Sequence, residues 1–501
     1  MPIRNADNRR APVFRLVLIA FAAVLIHGYH LGVDDAEIYV PAIKKAADPS
    51  LYRFGSEFFM AHAHLSLFPG TVGESARLTH LPIDLVIFLW HLGGIFLLLL
   101  ASWRLLSLCF RNEAARWGGV ALLAGVLTVP VAGTALAIMD PYLTARSLST
   151  PAMIFAVACY LAGNRRGTLL WLAAVALIHP QMSVYGAAFL VCLALVRRRE
   201  THKQPAAAAV VCASGIPFLF PFGRAHGPAR EALFSRTYFF LSNWTWYEWL
   251  GVVAPLAIAW WLASKSPRGT TPIFRPVLRT LVVVGALFTA GGLIVTFSPQ
   301  LENFTRFQPM RAFHLIYVIF FLMLGALIGE YALRHDIRRW LGLFVPLAVS
   351  MWCVQQDTYA SSSHVEWPGV ADRNRWNTAF VWIRNHTPKD AVFALDPDYM
   401  LRPGEDSQGF RALAERSALA ENIKDSGAVS LFPELAGEWK AEVNAQRGWP
   451  RFRLEDFQNL AKEYPVTWIV TDHPPSHTIC PYMSGGLAVC RISTVEVAAS
   501  H

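Results

Sequence analysis

Residues 82–109 read PIDLVIFLWHLGGIFLLLLASWRLLSLC, with Asp84, His91 and Arg104 as the ionisable groups in the run. A helix needs roughly 20 apolar residues to cross a bilayer core. In hydrocarbon its backbone N–H and C=O groups must bond within the segment. The stretch therefore predicts a transmembrane helix, and it lacks the alternation of a membrane β-barrel strand. Similar runs recur on both sides, giving eleven candidate spans: 13–31, 82–109, 117–139, 147–163, 167–180, 181–197, 205–223, 249–264, 278–297, 312–333 and 339–355. Composition agrees, since 54% of the 501 residues are hydrophobic and 16% are charged, against about 25% charged in soluble domains. The expected fold class is mainly α, a polytopic transmembrane helix bundle of about eleven spans.

Basic residues set the expected direction. With the N-terminus inside, the cytoplasmic loops carry Arg104, Arg111 and Arg116, then Arg165 and Arg166, then Arg197, Arg198, Arg199 and Lys203. Lys265, Arg268, Arg275 and Arg279 follow, and then Arg334, Arg338 and Arg339. This is the positive-inside pattern, and it accounts for much of the net charge of +9 without a nucleic-acid partner. The outside loop 224–248 departs from it, with Arg224, Arg230 and Arg236. The division of 167–197 rests on Ile178-His179-Pro180-Gln181, because Pro180 lacks an N–H and biases His179 away from helix. Residues 12–31 follow Arg4, Arg9 and Arg10 without a small-residue cleavage site and read as an uncleaved first span.

An odd count places the tail outside. The expected domains are 1–356, a membrane domain with first outside loop 32–81, and 357–501, a small soluble α/β domain. A bacterial inner membrane with this domain in the periplasm is the expected location. In the tail, 373–385, 410–423 and 454–463 predict helices, and 391–395, 466–470 and 487–492 predict strands. Cys480 and Cys490 are its only cysteines and are expected to form a disulfide in an oxidising compartment.

The first outside loop holds Asp34, Asp35 and Glu37. Adjacent acids at a membrane boundary take a proton from a hydroxyl or bind a divalent cation. Asp34 and Glu37 also have capping-box spacing, which needs no chemistry. The acidic pair after span one, the amphipathic stretch 36–60, the many spans and the outside tail together resemble the GT-C superfamily of integral membrane glycosyltransferases. The resemblance implies catalysis by Asp34 and Asp35, a polyprenyl-phosphate-linked sugar as donor, and membrane lipid as surroundings. It leaves a divalent metal on those acids open.

Further candidates for substrate binding lie in other outside segments. Arg146, with Asp140 nearby, and Arg311 suit a phosphate through bidentate bonds, or else snorkel to lipid headgroups. His179, Gln181 and His314 stand at span ends, where a hydrogen-bonded structural role competes with catalysis. His62 and His64 are a weak metal pair. In the tail, Arg411 and Arg416 suit an anionic acceptor, or helix salt bridges with Glu415 or Glu421. The aromatic loop 239–248 suits sugar stacking or an interfacial belt.

No phosphate-binding loop, dinucleotide fingerprint or nucleophile elbow is present. Two other functions remain. A lipid-linked-sugar transporter would use charges within the bundle, for which Asp84 and His91 are the candidates; a non-catalytic scaffold would use the tail to bind a partner.

The charge pattern makes a direct prediction. Alkaline phosphatase fused after Gln356 is expected to be active in cells and inactive when fused after Asn112; the opposite result inverts the topology.

Overall fold

The computed structural model describes residues 12–201 and 223–492. The expected span at 205–223 falls outside them but for its last residue. The chain opens with α1 (Val13–His27), then α2 (Ala36–Ala47), α3 (Glu57–Ala63) and α4 (Phe68–Thr79), and enters the long α5 (Ile83–Cys109). Next come α6 (Glu113–Gly125), α7 (Ala145–Leu161), α8 (Arg165–Ile178), α9 (Pro180–Thr201) and α10 (Gly227–Phe234). The bundle is completed by α11 (Trp246–Lys265), α12 (Phe274–Phe297), α13 (Phe313–Ile328) and α14 (Ile337–Thr358).

Among the described residues five helical segments are long and apolar enough to cross a membrane, by length and composition: Ile83–Cys109, Pro180–Arg199, Phe274–Phe297, Pro299–Leu333 and Ile337–Thr358. Val13–His27 and Ala145–Leu161 are apolar but shorter. At 1.5 Å per residue α5 is about 40 Å long, so its two ends lie on opposite faces of the bundle.

Two irregular segments build the inner surface. Helix was expected across 117–139, but α6 stops at Gly125. Val126, Val129, Pro130 and Val131 favour extended backbone over helix. The chain doubles back, with Val131 N–H donating to Leu136 C=O at 2.7 Å and Met139 N–H to Leu127 C=O at 2.7 Å. These bonds satisfy backbone that has left the helix. The second is a run of 3₁₀ turns, Pro299–Phe307 and Pro309–Ala312, in the stretch between the expected spans 278–297 and 312–333. The break between α8 and α9 does fall at His179, with Pro180 in the first turn of α9, where its missing N–H costs nothing.

Helices α6 and α13 meet through glycines. A Cβ on Gly118 would lie 2.4 Å from Gly325 C=O, and one on Gly329 would lie 2.3 Å from Ala114 C=O. Small residues let the backbones touch where no hydrophobic drive between helices exists.

The tail holds α15 (Arg375–His386), α16 (Phe410–Ala414), α17 (Lys424–Leu431), α18 (Ala436–Ala445) and α19 (Leu454–Glu463). Its strands are β1 (Val392–Leu395), β2 (Ser417–Ala418), β3 (Trp468–Thr471), β4 (Ile479–Ser484) and β5 (Leu487–Arg491). They form one sheet in the order β2-β1-β3-β5-β4, with β1 parallel to β2 and β3, and β5 antiparallel to β3 and β4. Strand β4 carries little apolar pattern and was not expected. Cys480 and Cys490 are joined as a disulfide between β4 and β5.

The helix expected over 410–423 is a correction. Only α16 forms, because Glu415 turns to φ 53° and sends the chain into β2. Its carboxylate is held at 2.9 Å by Lys44 and at 3.4 Å by Arg384. Both cations also bind Asp84 in the first turn of α5, at 2.9 and 2.7 Å. Asp84, a candidate intramembrane charge, is thus an ion-pair partner joining the bundle to the tail.

Gly118→Val is expected to abolish recovery of folded, detergent-soluble protein, because its branches have only backbone to displace. Normal yield and melting temperature would contradict the α6–α13 contact.

Candidate active site

The acid pair sits where α1 gives way to α2, and the tail shapes it. Gly409 N–H donates to Gly32 C=O at 2.7 Å and Asp34 N–H to Ser407 C=O at 2.9 Å. Asp34 takes a left-handed φ of 53°, a conformation aspartate tolerates better than most residues. The expected capping box is absent: Asp35 occupies the cap position of α2 with no side-chain cap bond. Glu37 instead reaches across the chain and accepts Arg411 N–H and Ala412 N–H, each at 2.9 Å, capping α16. Its side chain is buried in this capping role.

Asp34 and Asp35 remain partly open, with side chains 50% and 30% exposed. Lys424, from the start of α17, bonds to both, at 3.0 Å to Asp35. Tyr142 donates to Asp34 at 3.3 Å. Arg146 binds Asp140 at 2.7 Å and comes within 3.9 Å of Asp35. The doubled-back segment before α7 therefore delivers Asp140, Tyr142 and Arg146 to the acids. The sequence marks Lys424 only as part of a charged cluster at the exit of the expected helix 410–423; its place beside the acids is not legible there because 389 residues separate it from Asp35.

Beside this group lies a cavity of about 550 Å³. Its walls are mostly apolar and include Ile38, Phe59, Phe68, Ile178, Phe307 and Phe432. Tyr39, His62, His179, Gln181 and Arg306 supply its polar surface. Arg146 and Arg311 lie just behind the wall, near enough for their charges to act on Tyr39 and His179.

Several nitrogens here are buried without a hydrogen-bond partner: Nε of Arg146, Arg306 and Arg311, Nε2 of His179, and Nδ1 of His62 and His314. His314 uses its other nitrogen on Ile138 C=O at 2.9 Å. Gln181 donates to Phe307 C=O at 2.9 Å. Arg306 and Arg311 pair with no carboxylate among the described residues. Arg306 was missed in the sequence, where an arginine in an ordinary polar stretch carries no mark.

The tail arginines do not join the site. Arg411 is spent on Asp425, at 2.8 and 3.0 Å, and lies 3.6 Å from Glu37. Arg416 is spent on carbonyls, at 2.8 Å to Arg384 and 2.7 Å to Thr387. Neither makes the expected helix salt bridge, because the helix that would have spaced them is not formed.

Among the described residues no group of three or more His, Cys, Asp or Glu side chains is placed to hold a metal ion. The Lys424 ammonium stands between the two carboxylates, where such an ion would sit. His64 is exposed and His62 packs on Phe432 at 5.0 Å.

Among solved structures the chain is similar to the cryo-EM structure of the arabinofuranosyltransferase AftD from Mycobacteria, with 13% identity and a TM-score of 0.48, over 96% of this chain and 40% of that one. The chain spans well under half the length of that protein. No family model matches it, and no curated protein matches it.

Behind the acids, burial pushes Glu37 up to about 7, and Glu442, which accepts Ala420 N–H at 2.7 Å, up to about 8. In the unfolded chain such groups titrate near 4.3. Between those values the folded state holds the extra proton, so their contribution to stability is present at low pH and falls as pH rises through 7 to 8. Thermal unfolding at pH 5 and pH 8 is expected to show a smaller loss in Glu442→Gln than in wild type. An equal or larger loss would contradict this assignment.

Proposed function

We propose that the protein is an inverting membrane glycosyltransferase that moves a sugar from a polyprenyl-phosphate donor to an acceptor hydroxyl at the extracytoplasmic face. One observation carries the proposal. A partly open carboxylate pair stands beside an apolar cavity whose polar edge holds cationic and imidazole nitrogens without partners. An acid suited to take a proton, an anion site and an apolar channel thus lie side by side.

In this reading Asp35 accepts the proton of the acceptor hydroxyl as its oxygen attacks the anomeric carbon. The bond from that carbon to the phosphate oxygen breaks, and the phosphate leaves with the electron pair. Arg311 and Arg306 have unused donors for the developing charge, with Arg146 supporting them. His179, Gln181 and His314 line or flank the phosphate and sugar path. The isoprenoid chain lies in the apolar cavity. Lys424 is a positioning residue: its ammonium, bonded to both carboxylates, offsets their mutual repulsion and fixes the orientation of Asp35.

The membrane arrangement belongs to the same proposal. The chain crosses about eleven times with the N-terminus in the cytoplasm, residues 1–356 form the membrane domain, and 357–501 form the periplasmic domain of a bacterial inner-membrane protein. Asp84 lends no support to a transporter, since Lys44 and Arg384 already occupy it.

The test is turnover of polyprenyl-phosphate sugars by full-length protein in lipid. Asp35→Asn is expected to lower kcat by about 10² or more, the usual worth of a positioned base. Arg311→Gln is expected to cost about 10²-fold with the fold intact. Lys424→Met is expected to lower kcat with little change in donor KM, and Lys424→Arg to restore part of it. Full activity in Asp35→Asn and Asp34→Asn would end the proposal.

A further inference from the structure

A second cavity, of about 870 Å³, lies at the end of the bundle remote from the acid pair, near the C-terminus of α5. Arg111, Arg199, Arg268, Arg275 and Arg279 line it, and no Asp or Glu is among its described lining residues. Arg111, Arg199, Arg268 and Arg275 have no carboxylate partner within 4 Å among the described residues. The cavity's other wall is apolar, with Val196, Trp260, Val282 and Val283 from the membrane-facing helices α9, α11 and α12.

General enrichment of arginine at one membrane face does not account for this arrangement. The neighbouring cavity at the same end holds Arg15 and Arg334, but there Glu113 stands 3.9 Å from Arg15 and balances it. The larger cavity is also built. Its loop is pinned to the end of α5: Arg111 N–H donates to Gly269 C=O at 3.2 Å and Thr271 N–H to Cys109 C=O at 2.9 Å. Thr271 Oγ1 adds a bond to Leu108 C=O at 2.6 Å, and Phe110 packs edge-on against Phe274 at 5.4 Å. Gly269 takes a left-handed φ of 83°, and a Cβ there would lie 2.6 Å from the Glu330 carboxylate, which is not among the lining residues. These contacts tie the loop that carries Arg268 and Arg275 to the segment that carries Arg111.

We infer that this cavity binds the headgroup of an anionic phospholipid bearing two phosphates, its acyl chains running along the apolar wall. Guanidinium groups bind phosphate oxygens bidentately, and basic pockets between membrane helices suit such headgroups. The apolar wall favours a lipid over a soluble phosphate, because only a lipid covers both surfaces at once. The assignment is independent of the transfer reaction at the other face.

Native mass spectrometry of the full-length protein in detergent, titrated with diphosphatidylglycerol or phosphatidylcholine, tests it. Wild type is expected to retain diphosphatidylglycerol preferentially. The double variant Arg111→Gln/Arg275→Gln is expected to weaken it about tenfold or more, while Arg334→Gln/Arg339→Gln leaves it unchanged. Arg111→Lys/Arg275→Lys, which keeps the charge, is expected to recover part of the binding. Equal loss in the two glutamine variants, or no preference between lipids in wild type, would overturn the inference. So would displacement of the lipid by equimolar pyrophosphate, which would assign the cavity to a soluble phosphate.

Discussion

The seam between residues 32–37 and 407–412 is the contact on which the acid pair depends. Backbone bonds join Gly32 to Gly409 and Asp34 to Ser407, and the Glu37 carboxylate caps the helix that starts at Phe410. The seam tolerates no bulk. A Cβ on Gly409 would lie 2.3 Å from Glu37, and one on Gly32 would lie 2.5 Å from Leu413. Two buried ionic groups reinforce it: Arg411 with Asp425 and Glu37, and Lys44 with Asp84 and Glu415. Buried pairs add little net stability over an apolar core, but breaking one strands a charge at a cost of about 3–5 kcal/mol. Their effect is to specify one docking geometry between loop and tail.

That geometry carries Lys424 to the acids. Its helix α17 follows a turn in which Asp425 accepts Glu421 N–H at 2.9 Å while its carboxylate also binds Arg411. Displacement of the tail would therefore move Lys424, Glu37 and the backbone of Asp34 together. The other side of the site comes from the bundle, through the two places where it abandons regular helix. Residues 126–144 deliver Asp140, Tyr142 and Arg146; the 3₁₀ turns before α13 deliver Arg306 and Arg311. Irregular backbone is tolerated inside a membrane bundle only where protein or a cavity satisfies it, and here the 3₁₀ turns place Arg306 and Phe307 in the cavity wall.

Much of the bundle was legible in the sequence. The runs at 82–109, 278–297, 312–333 and 339–355 give helices close to those bounds because apolar length alone specifies them. His179-Pro180 marked a real break, since proline chemistry is local. Helix Leu454–Glu463 and strands β1, β3 and β5 likewise follow from local pattern. Helix over 117–139 ended where Pro130 and its valines let the chain fold back on itself, and helix over 410–423 ended where Glu37 and β1, distant in sequence, drew the chain into a short helix and a strand. Strand β4 exists through its pairing with β5, which its own residues do not signal.

Sequence by itself determined that most of this chain is apolar helix, that basic residues collect between the runs, and that Asp34 and Asp35 follow the first of them. Hydrophobic length and local charge decide those matters, and both can be counted along the chain. Tertiary structure alone decided what each charged side chain does. Glu37, Arg411, Arg416 and Asp84 became internal partners, while Arg306 and Lys424 emerged beside Arg146, Arg311 and the acids. The reason is physical: the role of a buried charge depends on which counter-charge lies within about 4 Å, and that is fixed only when distant segments pack together.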